Sequence, residues 1–409
     1  MKILFITSKT PLPINEGHAL RTFNLLNAVA QKHDVTLLSC VKFPVEYQHK
    51  DELEKLCESV RLFDVPENRS NYRTALSAIV NLAEQRPYIS RKYNLSTLRE
   101  EIRSLLARQK FDLVHLDMLP LGVFLDEITI PTLLNEHNVE SALLKRRAEG
   151  TANPVVKWYL MGQQKRLELF ESQVAAGVSH VITCSDEDKL LLAGMAPKQN
   201  ISVVPNGVDI DWYTSSGLIK EESSQLVFVG GMNWFPNRDA VVWFDEEIYP
   251  LLQQKSPDMR LDVVGRPDPV VHLRNSEQVV MRGFVDDTRV YLEKASIVIV
   301  PIRVGGGTRL KVLEAMSMGK AMVSTTAGVE GIRVEHEQHL LIADSPADFV
   351  ECIIKLNNNP QLRKKFGDAA RELACSRYHW DSIGQSLLEA YELTVSSVNV
   401  QNTISSKLS

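Results

Sequence analysis

The sequence predicts an α/β protein of two doubly wound, Rossmann-like domains in tandem, and three observations carry that prediction. Short apolar runs alternate with segments of helical period along the chain, the pattern of parallel strands covered by helices. The alternation halts at the turn cluster Pro205, Asn206, Gly207, Val208 and Asp209, then restarts. With 409 residues the chain also exceeds the ~250–300 over which a single core keeps growing, so two domains are the simplest count.

The first half places strands at 3–6, 35–39, 113–116, 132–134, 178–183 and 201–204, with a helix at 18–31 after the first of them. These runs are rich in Ile, Leu and Val and end on polar residues, as strands buried on both faces do. The second half places strands at 226–230, 261–264, 279–281, 297–300, 322–324 and 339–342, then helices at 346–356, 361–376 and 381–398. The organisation expected is a first domain over 1–205, a second over 206–380, a separate helix over 381–398, and a polar, disordered tail over 399–409.

Composition narrows the function. Apolar residues make up 44% and charged residues 24%, which fits a folded globular chain. A net charge of −5 argues against nucleic acid as the main partner. Cys40, Cys57, Cys184, Cys352 and Cys375 are scattered without zinc-site spacing, which suits a reducing cytoplasm. Residues 1–7 read as a first strand rather than a signal peptide, and no apolar segment approaches the ~20 residues needed to span a bilayer. Lys157, Trp158, Tyr159 and Leu160 form either a peripheral membrane edge, at the inner face of the membrane, or a helix packing face.

Ligands of doubly wound sheets sit beyond the carboxyl ends of the strands, and two such domains can enclose a ligand in a cleft between them. The motifs fall there. After strand 295–300 come Gly305, Gly306, Gly307, Thr308, Arg309, Leu310 and Lys311, a loop opening into a helix that Gly319 ends. Glycines let backbone N–H groups approach an anion, and the helix start adds a positive dipole end. Arg309 and Lys311 stand in the first turn, where that dipole disfavours cations unless an anion is near. A bound phosphate resolves the misplacement; a flexible loop with solvated charges is the plainer reading. Glu314 is placed to take both hydroxyls of a ribose, or to pair with Lys311 or Lys320.

Other strand ends carry weaker signals. Gly17 follows Glu16 in the loop after the first strand, and allows close approach or simply turns. His115 and Asp117 close the strand at 113–116, and Asn135, Glu136, His137 and Asn138 follow the next. His137 is a candidate proton carrier, or is merely satisfied beside a helix cap at Asn138. The Asp-x-Asp pairs at 186–188 and 209–211 read as a cap led by Ser185 and a solvated turn rather than metal ligands. Phe284, beside Gly283, flanks a base or joins the core.

As a set these residues resemble the retaining glycosyltransferases of group 1, or family 4, which have the two-domain GT-B fold. The resemblance rests on 204–209, on Phe228, Val229 and Gly230, on 282–286, on 306–319 with Leu313, Glu314, Ala315 and Met316, and on Tyr378, His379, Trp380 and Asp381. It implies a final helix crossing back to the first domain, with an acceptor side there and a nucleotide-sugar site in the second. It further implies that Glu314 binds the donor ribose, that Gly305, Gly306, Gly307, Thr308 and Leu310 hold the diphosphate, and that Phe284 lies by the base. Gly17 and Asn206 approach the donor from the other wall, and His137 lines the acceptor side. The nucleotide-diphosphate sugar is a substrate, a glycan or lipid-linked hydroxyl is the acceptor, and no cofactor or metal is expected.

The chain departs from the family pattern at three places. Gly306 stands where a carboxylate is expected, Asp117 where many members keep a histidine, and the stretch 231–238 replaces an Arg and a Lys. Arg303, Arg309 and Lys311 are therefore expected to supply the positive charge, with Arg238 in reserve. A catalytically silent module that only binds a nucleotide sugar or a partner transferase is the alternative.

Overall fold

The computed structural model describes residues 1–14, 16–66, 80–82, 84–305 and 308–408, with 397–408 as backbone only. The chain folds into two compact units, Met1–Pro205 with Ile383–Ser409, and Asn206–Ser382. Each is a parallel sheet flanked by helices, as the alternation predicts.

The first unit contains β1 (Lys2–Thr7), β2 (Asp34–Val41), β3 (Ser59–Asp64), β4 (Leu113–Asp117), β5 (Thr132–Glu136), β6 (His180–Thr183) and β7 (Ile201–Val203). They pair in the order β3-β2-β1-β4-β5-β6-β7. Ile3, Leu4, Phe5 and Ile6 in β1, like Leu113, Val114 and Leu116 in β4, are wholly buried, which is why these strands read as unbroken apolar runs. β3 was not expected: it is an edge strand, largely half-buried, with exposed Arg61 interrupting its apolar pattern. The predicted start of β6 at 178 moves to His180, because Val178 closes the long helix Pro154–Gly177.

The second unit contains β8 (Glu222–Val229), β9 (Arg260–Val264), β10 (Val279–Gly283), β11 (Ala295–Val300), β12 (Met322–Ser324) and β13 (Leu341–Ile342), in the order β10-β9-β8-β11-β12-β13. In both units the winding direction reverses once, between β1 and β4 and between β8 and β11. A crevice is expected beyond the carboxyl ends of those strand pairs.

The helix Leu310–Ser317 follows β11 and ends in a Schellman motif. Gly319, at φ +64°, donates its N–H to Met316 O, and Lys320 donates to Ala315 O. The closing helix runs Trp380–Leu408, so residues 399–408, expected as a disordered tail, continue helical backbone. No residue after Gly384 in that helix is Gly or Pro, so nothing local stops it. Ile383, Leu387, Ala390 and Tyr391 are its buried stripe in the first unit, and Tyr391 Oη lies 2.7 Å from His115 Nδ1.

Candidate functional site

At the reversal point of the first unit, β4 ends in Asp117, whose side chain is fully buried. Its Oδ2 accepts the Thr22 hydroxyl at 2.7 Å, and its Oδ1 accepts the Asn135 amide at 2.7 Å and sits 2.9 Å from His137 Nε2. Asn135 is in β5 and His137 follows two residues on, so strand alternation turns both toward the same side. His18, Arg21 and Thr22 come from the start of the helix Gly17–Ala30, where spacings of three and four put them on one face. Arg21 is buried and donates to Asn135 Oδ1 and to Pro205 O, each at 2.9 Å. The rings of His18 and His137 stack, with centroids 4.7 Å apart.

These groups set one another's charge. Burial alone pushes the Asp117 carboxyl up, but adjacent His137 and the other histidines outweigh burial and hold it well below the carboxylate range. Burial, then repulsion from His137, pushes His18 down to about 3, Asp117 offsetting only part of this. Burial likewise lowers fully buried His115. The structure thus gathers three histidines, His18, His115 and His137, around the Asp117 carboxylate.

Asp117 and His137, both predicted, meet here. Gly17 is nearby as the first residue of its helix; its predecessor Glu16 pairs with Lys9 at 3.1 Å. Asn206 is half-buried at the start of the second unit. Asn138 does not cap the next helix, Glu140–Glu149; instead Glu171 accepts the N–H groups of Glu140 and Ser141, at 2.7 and 3.2 Å. His18, Arg21 and Thr22 escaped the sequence reading because only the fold brings that helix face to the end of β4. Their i, i+3, i+4 spacing was the available signal.

At the reversal point of the second unit the character inverts. Arg309 is the N-cap residue of the helix Leu310–Ser317 and is buried, with Nη2 3.8 Å from Glu330 Oε2. Lys311 Nζ donates to Asn237 Oδ1 at 2.7 Å and lies 4.1 Å from the centre of the Phe228 ring. Burial, then the adjacent charge of Arg309, pushes Lys311 down to about 7, with Glu314 opposing. Burial raises Glu314, while a hydrogen bond with Tyr213 and the Lys311 charge oppose the rise. Thr308 Oγ1 is buried with no hydrogen-bond partner among the described residues. Gly305 holds φ +126°, and a Cβ there would come 3.1 Å from Arg309 Nη2.

The remaining predicted residues divide. Leu310 packs on the core, while Phe284 is 66% exposed, with the Arg266 guanidinium 5.6 Å from its ring centre. Arg303 is drawn off by Asp239, at 2.7 and 3.1 Å, and Arg238 by Asp268 at 2.9 Å. Lys320 pairs with Glu221 at 3.1 Å, and Lys311 goes to Asn237, so neither is the hydrogen-bond partner found for Glu314. Gly306 and Gly307 lie outside the described residues. Ser185 caps its helix as predicted, accepting from Asp188 N at 3.0 Å, and Asp209 Oδ1 takes the N–H groups of Asp211 and Trp212 in a turn.

Two family models match the chain, Glycosyltransferase Family 4 over residues 16–212 and Glycosyl transferases group 1 over residues 223–359. A relative is an uncharacterized 44.6 kDa protein in the cps region of Klebsiella pneumoniae, 20% identical over 373 residues, which are 88% of this chain and 91% of that protein. Among solved structures, sucrose-phosphate synthase from Thermosynechococcus elongatus superposes with a TM-score of 0.70 at 15% identity, covering 96% of this chain and 98% of that one. Anabaena HepE in complex with UDP gives 0.66 at 15% identity, covering 96% and 100%. At such identities the structural likeness is one of fold.

Proposed function

The chain belongs to the group 1, family 4 glycosyltransferases of the two-domain GT-B fold, and from that premise we propose that it moves a hexosyl group from a nucleotide-diphosphate donor to a hydroxyl of a glycan or lipid-linked acceptor. The observation that carries this reading is the meeting of two cations, Arg309 and Lys311, with the Thr308 hydroxyl, unpartnered among the described residues, at one helix N-terminus. A diphosphate there would gain the Thr308 hydroxyl and two cations now held by Glu330 and Asn237.

In the proposed reaction the diphosphate lies against Thr308, the N-terminal N–H groups of the helix Leu310–Ser317, Arg309 and Lys311. Negative charge grows on the diphosphate as the bond to the anomeric carbon breaks, and the preset cations stabilise that growth more than the ground state. Lys311, close to half-charged at neutral pH, takes up a proton as the anion arrives. Glu314 accepts the ribose hydroxyls and exposed Phe284 stacks on the base. Asp117 and His137 hold the acceptor hydroxyl and draw off its proton. Attack from the face the diphosphate leaves retains the anomeric configuration, and no metal is required. The UDP held by Anabaena HepE supports trying uridine donors first.

The test is incubation with UDP-, GDP- and ADP-sugars and candidate acceptors, following nucleotide diphosphate release. Release that requires Glu314, persists in EDTA and yields a product anomer matching the donor supports the proposal. Binding without release across all donors and acceptors supports the silent module instead. No helix among the described residues is long and apolar enough to cross a membrane. Val155 and Trp158, 72% and 68% exposed beside Lys157, support a peripheral edge at the cytoplasmic membrane face, which flotation with anionic vesicles checks.

A further inference from the structure

Sugar transfer as proposed uses Asp117 and His137 of the first unit and leaves His18, which lies against both, without a role. His18, Asp117 and His137 each offer a ligand atom, and these atoms all lie within 4.8 Å of one another. His137 Nε2 is 2.9 Å from Asp117 Oδ1, and His18 Nε2 is 3.7 Å from Asp117 Oδ2. In a tetrahedral site with bonds of ~2.0–2.2 Å, neighbouring ligand atoms stand about 3.3–3.6 Å apart. Closing the set therefore asks each ring to shift by less than about 1 Å, on the same geometry.

A second observation is independent of that spacing. Both ring nitrogens of His18 are buried, and neither has a hydrogen-bond partner among the described residues. An imidazole taken out of water with both nitrogens unused is costly, and its position against Asp117 and His137 gives it one common target. We propose that His18, Asp117 and His137 form a binding site for a divalent transition metal, with Zn²⁺ and Co²⁺ as the best fits.

The ligand chemistry selects within the cations. Two imidazoles and one carboxylate suit Zn²⁺, Co²⁺ or Ni²⁺, whereas Mg²⁺ and Ca²⁺ prefer oxygen sets. Three protein ligands leave a fourth position for water or a hydroxyl. The surroundings also match a metal site, in which ligands are themselves held by hydrogen bonds. Thr22 donates to Asp117 Oδ2, Asn135 donates to Asp117 Oδ1, and Arg21 fixes Asn135 by its side-chain oxygen. The Arg21 guanidinium also donates to Pro205 O. The site shares Asp117 and His137 with the acceptor side of the transferase reading, and its test follows metal binding without turnover, so failure of one reading is told apart from failure of the other.

The test uses the full chain without an affinity tag, titrated with Co²⁺ while the visible d–d absorption is followed, then challenged with Zn²⁺. One equivalent bound with a tetrahedral-type band, displaced by Zn²⁺, is expected. His18→Ala should weaken binding at least tenfold, and Asp117→Asn should do the same, with far-UV circular dichroism reporting the fold. Should either variant fail to fold, His18→Gln keeps a polar side chain of similar reach while removing the imidazole, and must show the same loss. No band with the unmodified chain, or His18 variants that bind as it does, overturns the proposal.

Discussion

The two reversal points, β1/β4 and β8/β11, occupy equivalent places in sheets wound the same way, yet their electrostatics are opposite. Around Asp117 the charge at the centre is negative, and Thr22, Asn135 and His137 surround it at hydrogen-bonding distance. Around Arg309 and Lys311 the charge is positive, and the Thr308 hydroxyl beside it has no partner among the described residues. Winding fixes where a ligand can sit; residue chemistry decides which ligand. The second point gathers cations at a helix start, and the first gathers donors about a buried carboxylate.

The severest test of this contrast is Arg309→Ala with Lys311→Ala. Turnover should fall by at least ~10³, since single donors to a developing anion are worth roughly 10²–10³ each. Thermal melting should show the fold intact, and undiminished turnover would remove the second point from the mechanism.

At the first point, Asp117→Ala strips a buried carboxylate from its donors and should cost about 3 kcal/mol in urea unfolding, the range for breaking one side of a buried charged network. The sign with pH follows from its depressed value. The contribution is present above the ordinary 3.8 and is lost as pH falls toward the lower folded value. A stability profile flat between pH 6 and about 2 would mean that His137 does not hold the carboxylate as described.

A smaller effect is expected from Glu314→Gln, which keeps the shape but loses the charge. Nucleoside diphosphate affinity should drop about tenfold by calorimetry, the scale of one charge-assisted hydrogen bond. The corresponding change at Asp117 should leave that affinity untouched if the two points are as distinct as their chemistry.

The finest test is proton linkage at Lys311. Folding pushes it from 10.5 to about 7, so its stability penalty is complete below 7 and is relieved as pH rises toward 10.5. An incoming diphosphate reverses the shift, so binding should take up close to one proton near pH 8 and weaken as pH rises from 7 to about 9. Calorimetry in buffers of different ionisation enthalpy measures this uptake, which Lys311→Ala should abolish.

The unequal legibility of the two points has a physical origin. Strand β11, the loop, Arg309, Lys311, Glu314 and Gly319 are contiguous, so local rules of strand pattern, helix start and helix stop expose them directly. Even there, sequence position could not show that Arg303 and Arg238 meet the carboxylates of Asp239 and Asp268, contacts made only in the folded chain. The first point is assembled from the start of one helix and the ends of two strands, with Thr22 and Asn135 reaching Asp117 across 95 and 18 residues. No local periodicity records such pairings. β3 escaped because an edge strand is half-buried, and the final helix outran its expected end because no breaker marks its course.

Hydrophobic spacing and turn residues thus determined by themselves that this protein is a tandem of doubly wound α/β units, with a helix opening after the loop that follows β11 in the second. Those features depend on neighbours a few residues apart, and the chain carries them wherever it folds. Tertiary structure alone decided which partners the cations take, Asp239 for Arg303, Asp268 for Arg238 and Asn237 for Lys311. It also decided that His18, Asp117 and His137 come together, because burial and long-range contact, not composition, set the charge of His18 and Asp117.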